Sequence, residues 1–172
     1  MNKTLIVSMN GQIGAALEGD IGLQHVRNTF TRPLSLSLDS GTGDGKADQI
    51  YSDQRDLAAG ASYTFDLATF NGSNDGMGSP FSMANVKVIS VENTQGPESG
   101  SIVCGGAPAG ARGWTAMTSG TIQVNGTSGF LAYDPGPVGY AVPSGSGNNL
   151  FKVSNPGAST VNYRILVIGA SA

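Results

Sequence analysis

Leu34-Ser35-Leu36-Ser37-Leu38 is the stretch that decides the fold class: three leucines point one way and two serines the other. Strict alternation of this kind is the signature of a strand with one face buried. The same rhythm recurs at Tyr63, Phe65 and Leu67, separated by Thr64 and Asp66, and at Val161, Tyr163, Ile165 and Val167. In that last run Leu166 and Ile168 add apolar groups on the opposite face, so its far half is expected to be covered twice. Val86 to Val91 is nearly continuous apolar sequence with Lys87 interposed, as in a central strand packed on both faces. Ile102-Val103-Cys104, Ile122 to Val124, Phe130 to Tyr133, Tyr140 to Val142 and Leu150 to Val153 are further short strands.

Turn chemistry separates these runs. Asp39 to Gly45 is a cluster of glycine and aspartate, where glycine supplies the positive φ that other residues resist. Asn125-Gly126 reads as a type I′ hairpin turn. Asp134-Pro135-Gly136-Pro137 and Pro143 to Asn148 are breaks, and Asn155-Pro156-Gly157 is expected to join Leu150–Val153 to Val161–Ile168 as a hairpin. Residues 46–58 fit helical spacing as well as an extended edge. Strand is the preferred reading, because a hairpin into Tyr63–Leu67 would follow.

Composition supports the same class. Of 172 residues 26 are glycine and 12% are charged, with a formal charge of −3. Each glycine inside a helix costs about 1 kcal/mol relative to alanine, so a helical bundle or coiled coil is excluded. The absence of a basic face excludes a DNA-binding module. One cysteine, Cys104, excludes a disulfide scaffold. With eight or nine strands and no fixed repeat, the chain reads as an all-β protein: an antiparallel β-sandwich or jelly-roll-like barrel over residues 31–172. Residues 1–30 form an extended N-terminal arm, because Ile13, Leu17 and Ile21 sit four apart while Gly11, Gly14, Gly19 and Gly22 undercut a helix.

Chemistry-bearing residues are sparse. Cys104 and the single histidine, His25, supply two ligands where zinc needs three or four. Asp39, Asp44 and Asp48 suggest calcium, but Gly41 and Gly43 stand where alternate ligands belong. Gly105-Gly106-Ala107-Pro108-Ala109-Gly110 lacks the Gly-Lys-Ser/Thr of a phosphate loop. Glu18, Asp20 and Asp75 carry no spacing that fixes a carboxylate pair. Asn71-Gly72-Ser73 and Asn125-Gly126-Thr127 match the glycosylation pattern, yet the opening residues read as mature protein, not as a signal peptide. No apolar run is long enough to span a membrane. Trp114, in a glycine-rich loop, is either an exposed aromatic contact for a partner or sugar, or a plug over one end of the sandwich. The reading is therefore a protein without catalytic residues, cofactor or metal.

Several segments, taken in order, are similar to a known family. They are Pro33–Leu38 running into Gly41-Thr42-Gly43-Asp44-Gly45-Lys46-Ala47-Asp48, then Asp53–Gly60 and Phe65-Asp66-Leu67. Ala84–Ile89, Gly105-Gly106-Ala107, Gly129-Phe130-Leu131, Gly139–Val142, Asn149–Val153 and Tyr163–Gly169 follow. Together they resemble small virion structural proteins of tailed bacteriophages, over residues 33–169. The resemblance implies a particle-associated β-domain, chiefly a capsid decoration (cement) protein on the outside of the head, assembled in the host cytoplasm. It also implies the major capsid protein and copies of this chain, as a homotrimer, for partners, with no nucleic acid and no membrane. A carbohydrate- or receptor-binding module on a tail or appendage is the alternative. The arm lies outside the resemblance. Its apolar residues Leu5, Ile6, Val7, Ile13, Leu17, Ile21 and Val26 are the candidate contacts to capsid or to a neighbouring copy, and the sandwich is expected to fold without it.

Overall fold

The computed structural model describes residues 4–21, 24–73, 80–96, 100–106, 114–117, 120–143 and 147–171. Among the described residues twelve strands run in chain order: β1 (Val7–Ile21), β2 (Gln24–Ser40), β3 (Lys46–Ala47), β4 (Gln49–Leu57), β5 (Ser62–Asp66), β6 (Met83–Asn93), β7 (Ser101–Gly105), β8 (Thr121–Asn125), β9 (Gly129–Tyr133), β10 (Tyr140–Ala141), β11 (Leu150–Ser154) and β12 (Val161–Ser171). Short 3-10 turns lie at Phe70–Gly72 and Thr115–Met117. The ambiguous residues 46–58 are strand.

Two sheets make the body. The middle sheet is ordered β10-β6-β12-β4, with β9 also pairing β6; the second is ordered β5-β11-β7-β8. The chain passes β4, β5, β6, β7 between the sheets alternately, and β8, β9, β11, β12 return in the same fashion. All pairings within the two sheets are antiparallel. This is the jelly roll, two Greek keys folded into a sandwich. Phe65, Val86, Ile89, Val91, Ile102, Phe151, Val153, Tyr163, Ile165 and Val167 fill the space between the sheets.

The hairpins expected across 58–61 and 155–157 do not form. β4 pairs β12 and β5 pairs β11, so residues 58–61 carry the chain from one sheet to the other. β11 likewise pairs β5 and β7, not β12. Asn155 explains the second corner. It is buried, and its amide donates to the carbonyls of Leu57, Ala58 and Ser159 while its own oxygen accepts from Gly157 N at 2.9 Å. These bonds replace the ladder that a hairpin would have supplied. The turn after β8 also differs from expectation. Positive φ falls on Thr127 (φ 56°), not on Gly126. Gly126 serves close approach instead, because a Cβ there would strike the carbonyl of Gly96.

A third layer covers the outer face of the middle sheet. β1 and β2 form one antiparallel hairpin in unbroken register from Val7↔Leu38 to Ile21↔Gln24, and β3 joins β2 in parallel at Asp39 and Ser40. Leu36 and Leu38 are buried against Val88 and Ile168, with Leu5, Val7, Met9, Tyr133 and Leu166 packed around them. The expectation that the far half of β12 is covered on both faces is met by this layer. The boundary at residue 30 is corrected: β2 runs through it without a break. The base of the arm is also part of a core within this chain, so removing residues 1–29 would strip Leu5, Val7 and Met9 from that core.

Candidate functional site

Beyond its base the hairpin leaves the body. From Asn10↔Ser35 outward to Ile21↔Gln24 it is a two-stranded ribbon about 37 Å long, at roughly 3.4 Å per residue. Directly opposed residues of an antiparallel pair share a face. The face that buries Val7, Met9, Leu36 and Leu38 therefore continues outward through Gly11/Leu34, Ile13/Arg32 and Ala15/Phe30. On it Ile13 is 54% exposed and Phe30 57% exposed. The other face carries Ser8, Asn10, Gln12, Ala16 and Glu18, opposed by Ser37, Ser35, Pro33, Thr29 and Arg27. There Arg27 Nε meets a Glu18 carboxylate oxygen at 2.8 Å. From Val7/Leu38 to Ala15/Phe30 the ribbon is thus amphipathic, with Arg32 the one charge on its apolar face, and that face loses its cover where the body ends.

Of the arm residues singled out in the sequence, Leu5 and Val7 are half-buried in the outer core, Ile13 is exposed on the apolar face, and Ile6 is 75% exposed on the side facing away. The register places Leu17, Ile21 and Val26 at positions of the apolar face; their side chains lie outside the described residues, as does Asp75. Phe30 escaped the sequence reading because it stood at the supposed boundary between arm and sandwich. The alternation Leu5-Val7-Met9, carried on through Ile13, Ala15 and Leu17, was the signal that could have found the ribbon.

Trp114 is not an exposed contact. It is 2% exposed, its indole N–H donates to the Ala141 carbonyl at 2.9 Å, and its ring meets Tyr140 and Phe151 edge-on. It closes one end of the sandwich, beside a cleft of about 450 Å3 between β8 and β9. Ile89, Met117, Ile122, Phe130 and Tyr140 line this cleft with Trp114. Tyr140 donates its hydroxyl to the Tyr133 carbonyl, and none of the described lining residues is charged. Tyr133 itself packs on the opposite side of its sheet, in the outer core. Trp114, Tyr133 and Tyr140 therefore make no common exposed platform for a sugar.

Several other polar groups hold the fold. Asp48 accepts from the backbone N–H and hydroxyl of Ser171 at 2.8 and 2.5 Å, which anchors the end of β12. Tyr51 donates to Asp53 at 2.9 Å, Arg55 pairs with the same carboxylate, and the guanidinium lies 3.9 Å over the Tyr63 ring. Cys104 is fully buried, and burial pushes its thiol up to about 12. The thiolate needed for nucleophilic or metal chemistry is therefore suppressed at neutral pH. Among the described residues no cluster of three metal-ligating side chains occurs. Comparison with family models, with curated proteins and with solved structures finds no match.

Proposed function

We propose that this chain is a non-enzymatic virion structural protein, a decoration (cement) protein that attaches to the outside of a tailed-phage head and reinforces it together with copies of itself. The observation that carries this reading is the ribbon, an amphipathic element whose apolar face extends past the body that covers its base. Exposed Ile13 and Phe30 on a projecting hairpin suit attachment by apolar burial to another protein surface. Charge supports a protein partner. Two acids, Glu18 and Asp20, balance two arginines, Arg27 and Arg32, in the ribbon, so it has no electrostatic attraction for nucleic acid or an anionic membrane. The sequence resemblance over residues 33–169 supplies the phage head as the setting.

The test is attachment. Heads of the parent phage prepared without this protein are incubated with the wild-type chain and with Phe30→Asp. Wild type sediments with the heads and raises their melting temperature, and the aspartate variant, with a charge on the apolar face, sediments at least tenfold less. Equal sedimentation of both, or none of the wild type, would overturn the reading.

A further inference from the structure

We infer that the cleft between β8 and β9 is a binding site for a small, uncharged aromatic molecule of about two rings. The inference is independent of head attachment, because the cleft lies in the body and not in the ribbon. It starts from a difference between the two flanks of the sandwich. On the flank of β4 and β5, aromatic rings fill the gap between the sheets. Tyr51 stacks on Phe70 with ring centroids 4.2 Å apart, and Phe65 and Phe81 meet the Tyr51 ring edge-on. On the opposite flank β8 and β9 are edge strands of the two sheets, and no pairing joins them. Between them the hollow of about 450 Å3 reaches in as far as Ile89 and Trp114, both buried in the core.

Interiors pack with few voids larger than a water molecule, so a hollow of this size beside core residues is room for an occupant. Its walls set the occupant's chemistry. Ile89, Met117, Ile122, Phe130, Trp114 and Tyr140 line it, and none of the described lining residues is charged. The polar atoms of the two amphipathic rings are already used: the indole N–H donates to the Ala141 carbonyl and the Tyr140 hydroxyl to the Tyr133 carbonyl. A charged ligand would lose its water there and find no counter-charge. Apolar cavities take up apolar rings instead. One of about 150 Å3 holds benzene, so the larger hollow accommodates two rings and a short substituent. The wall also favours a flat molecule over a flexible chain. Trp114 and Tyr140 stand at 81° to each other, so a planar ligand stacked on one ring meets the other edge-on. Met117, half-buried in the wall, adapts its flexible thioether to the outline of a ring.

The chain has one tryptophan, so Trp114 emission reports the cleft. The probe is N-phenyl-1-naphthylamine, which is neutral and absorbs where tryptophan emits. Titrated into the purified protein, it quenches Trp114 saturably, with half-saturation at roughly 10–200 μM. At tenfold excess over that value it raises the melting temperature by about 3 °C. Anionic 1-naphthalenesulfonate binds at least tenfold more weakly.

Two variants place the probe. Ile122→Asp puts a charge in the cleft and Ala116→Phe fills it; both positions are exposed, and either variant serves if the other folds poorly. Each weakens probe binding at least tenfold. Leu131→Asp changes an exposed residue of β9 that alternates with the cleft-lining Phe130 and Ala132 and so faces away, and it leaves binding unchanged. Absence of saturable quenching in wild type would overturn the inference. So would undiminished binding by a folded Ile122→Asp or Ala116→Phe, an equal loss in Leu131→Asp, or equal affinity for the sulfonate.

Discussion

A lysine with no exposed surface, Lys87, sets which way its neighbours face. It sits in a β-bulge: Ile168 pairs with Val88 and Gly169 with Val86, so Lys87 has no partner on β12. The extra residue puts Val86 and Ile89 together on the inner core while Val88 turns outward to the ribbon's base. The buried ammonium donates to the carbonyls of Gly136 and Pro137, tying the loop after β9 to β6. The sequence displayed the apolar run but not the bulge, since a bulge is defined by the partner strand. Opposite it, Gly169 is required because a Cβ would strike the Asn85 carbonyl and the Met83 side chain. Gly169→Ala is expected to lower stability by about 1–3 kcal/mol, read from denaturant midpoints. Cys104 gives a pH signature. Its thiol is raised from 9.0 to about 12 in the folded chain, so above pH 9 the unfolded chain loses a proton that the native one keeps. Stability is then full below pH 9 and falls by roughly 1.4 kcal/mol per pH unit toward 12 from this group. In a melting series from neutral to alkaline pH, Cys104→Val should move the onset of this fall upward, toward the range of the buried Tyr163, whose hydroxyl burial also raises.

At the scale of elements, the corners of the jelly roll concentrate what holds the sheets in register. Asn155→Ala would leave the Leu57, Ala58 and Ser159 carbonyls without their donor and free Gly157 N. The expected loss is about 3 kcal/mol, roughly 10 °C in melting temperature for a domain of this size. A change under about 1 kcal/mol would show that the corner is held by packing alone. The strands themselves were legible wherever one face is buried, as at Leu34–Leu38, Tyr63–Leu67 and Val161–Val167, because burial imposes period two. Their partners were not. Asn155-Pro156-Gly157 looks like a hairpin turn locally, and only the long-range bonds of Asn155 reveal a crossing between sheets. The ribbon was half legible for a related reason. Gly11 and Gly19 broke the apolar count, while the residues opposite them, Leu34 and Val26, lie up to 23 residues away in sequence.

For the whole molecule, the architecture separates a body held by its own core from a projecting element that needs another surface. The base of the hairpin belongs to the body, so the dispensable part is residues 12–33. Replacing them with Asn-Gly closes Gly11 and Leu34 through a two-residue turn and keeps Leu5, Val7, Met9, Leu36 and Leu38 in place. The most direct measurement is the occupancy of this shortened chain on heads prepared without the protein, set beside its melting temperature. The account predicts a melting temperature within a few degrees of wild type and occupancy at background. Wild-type occupancy by the shortened, folded chain would contradict it.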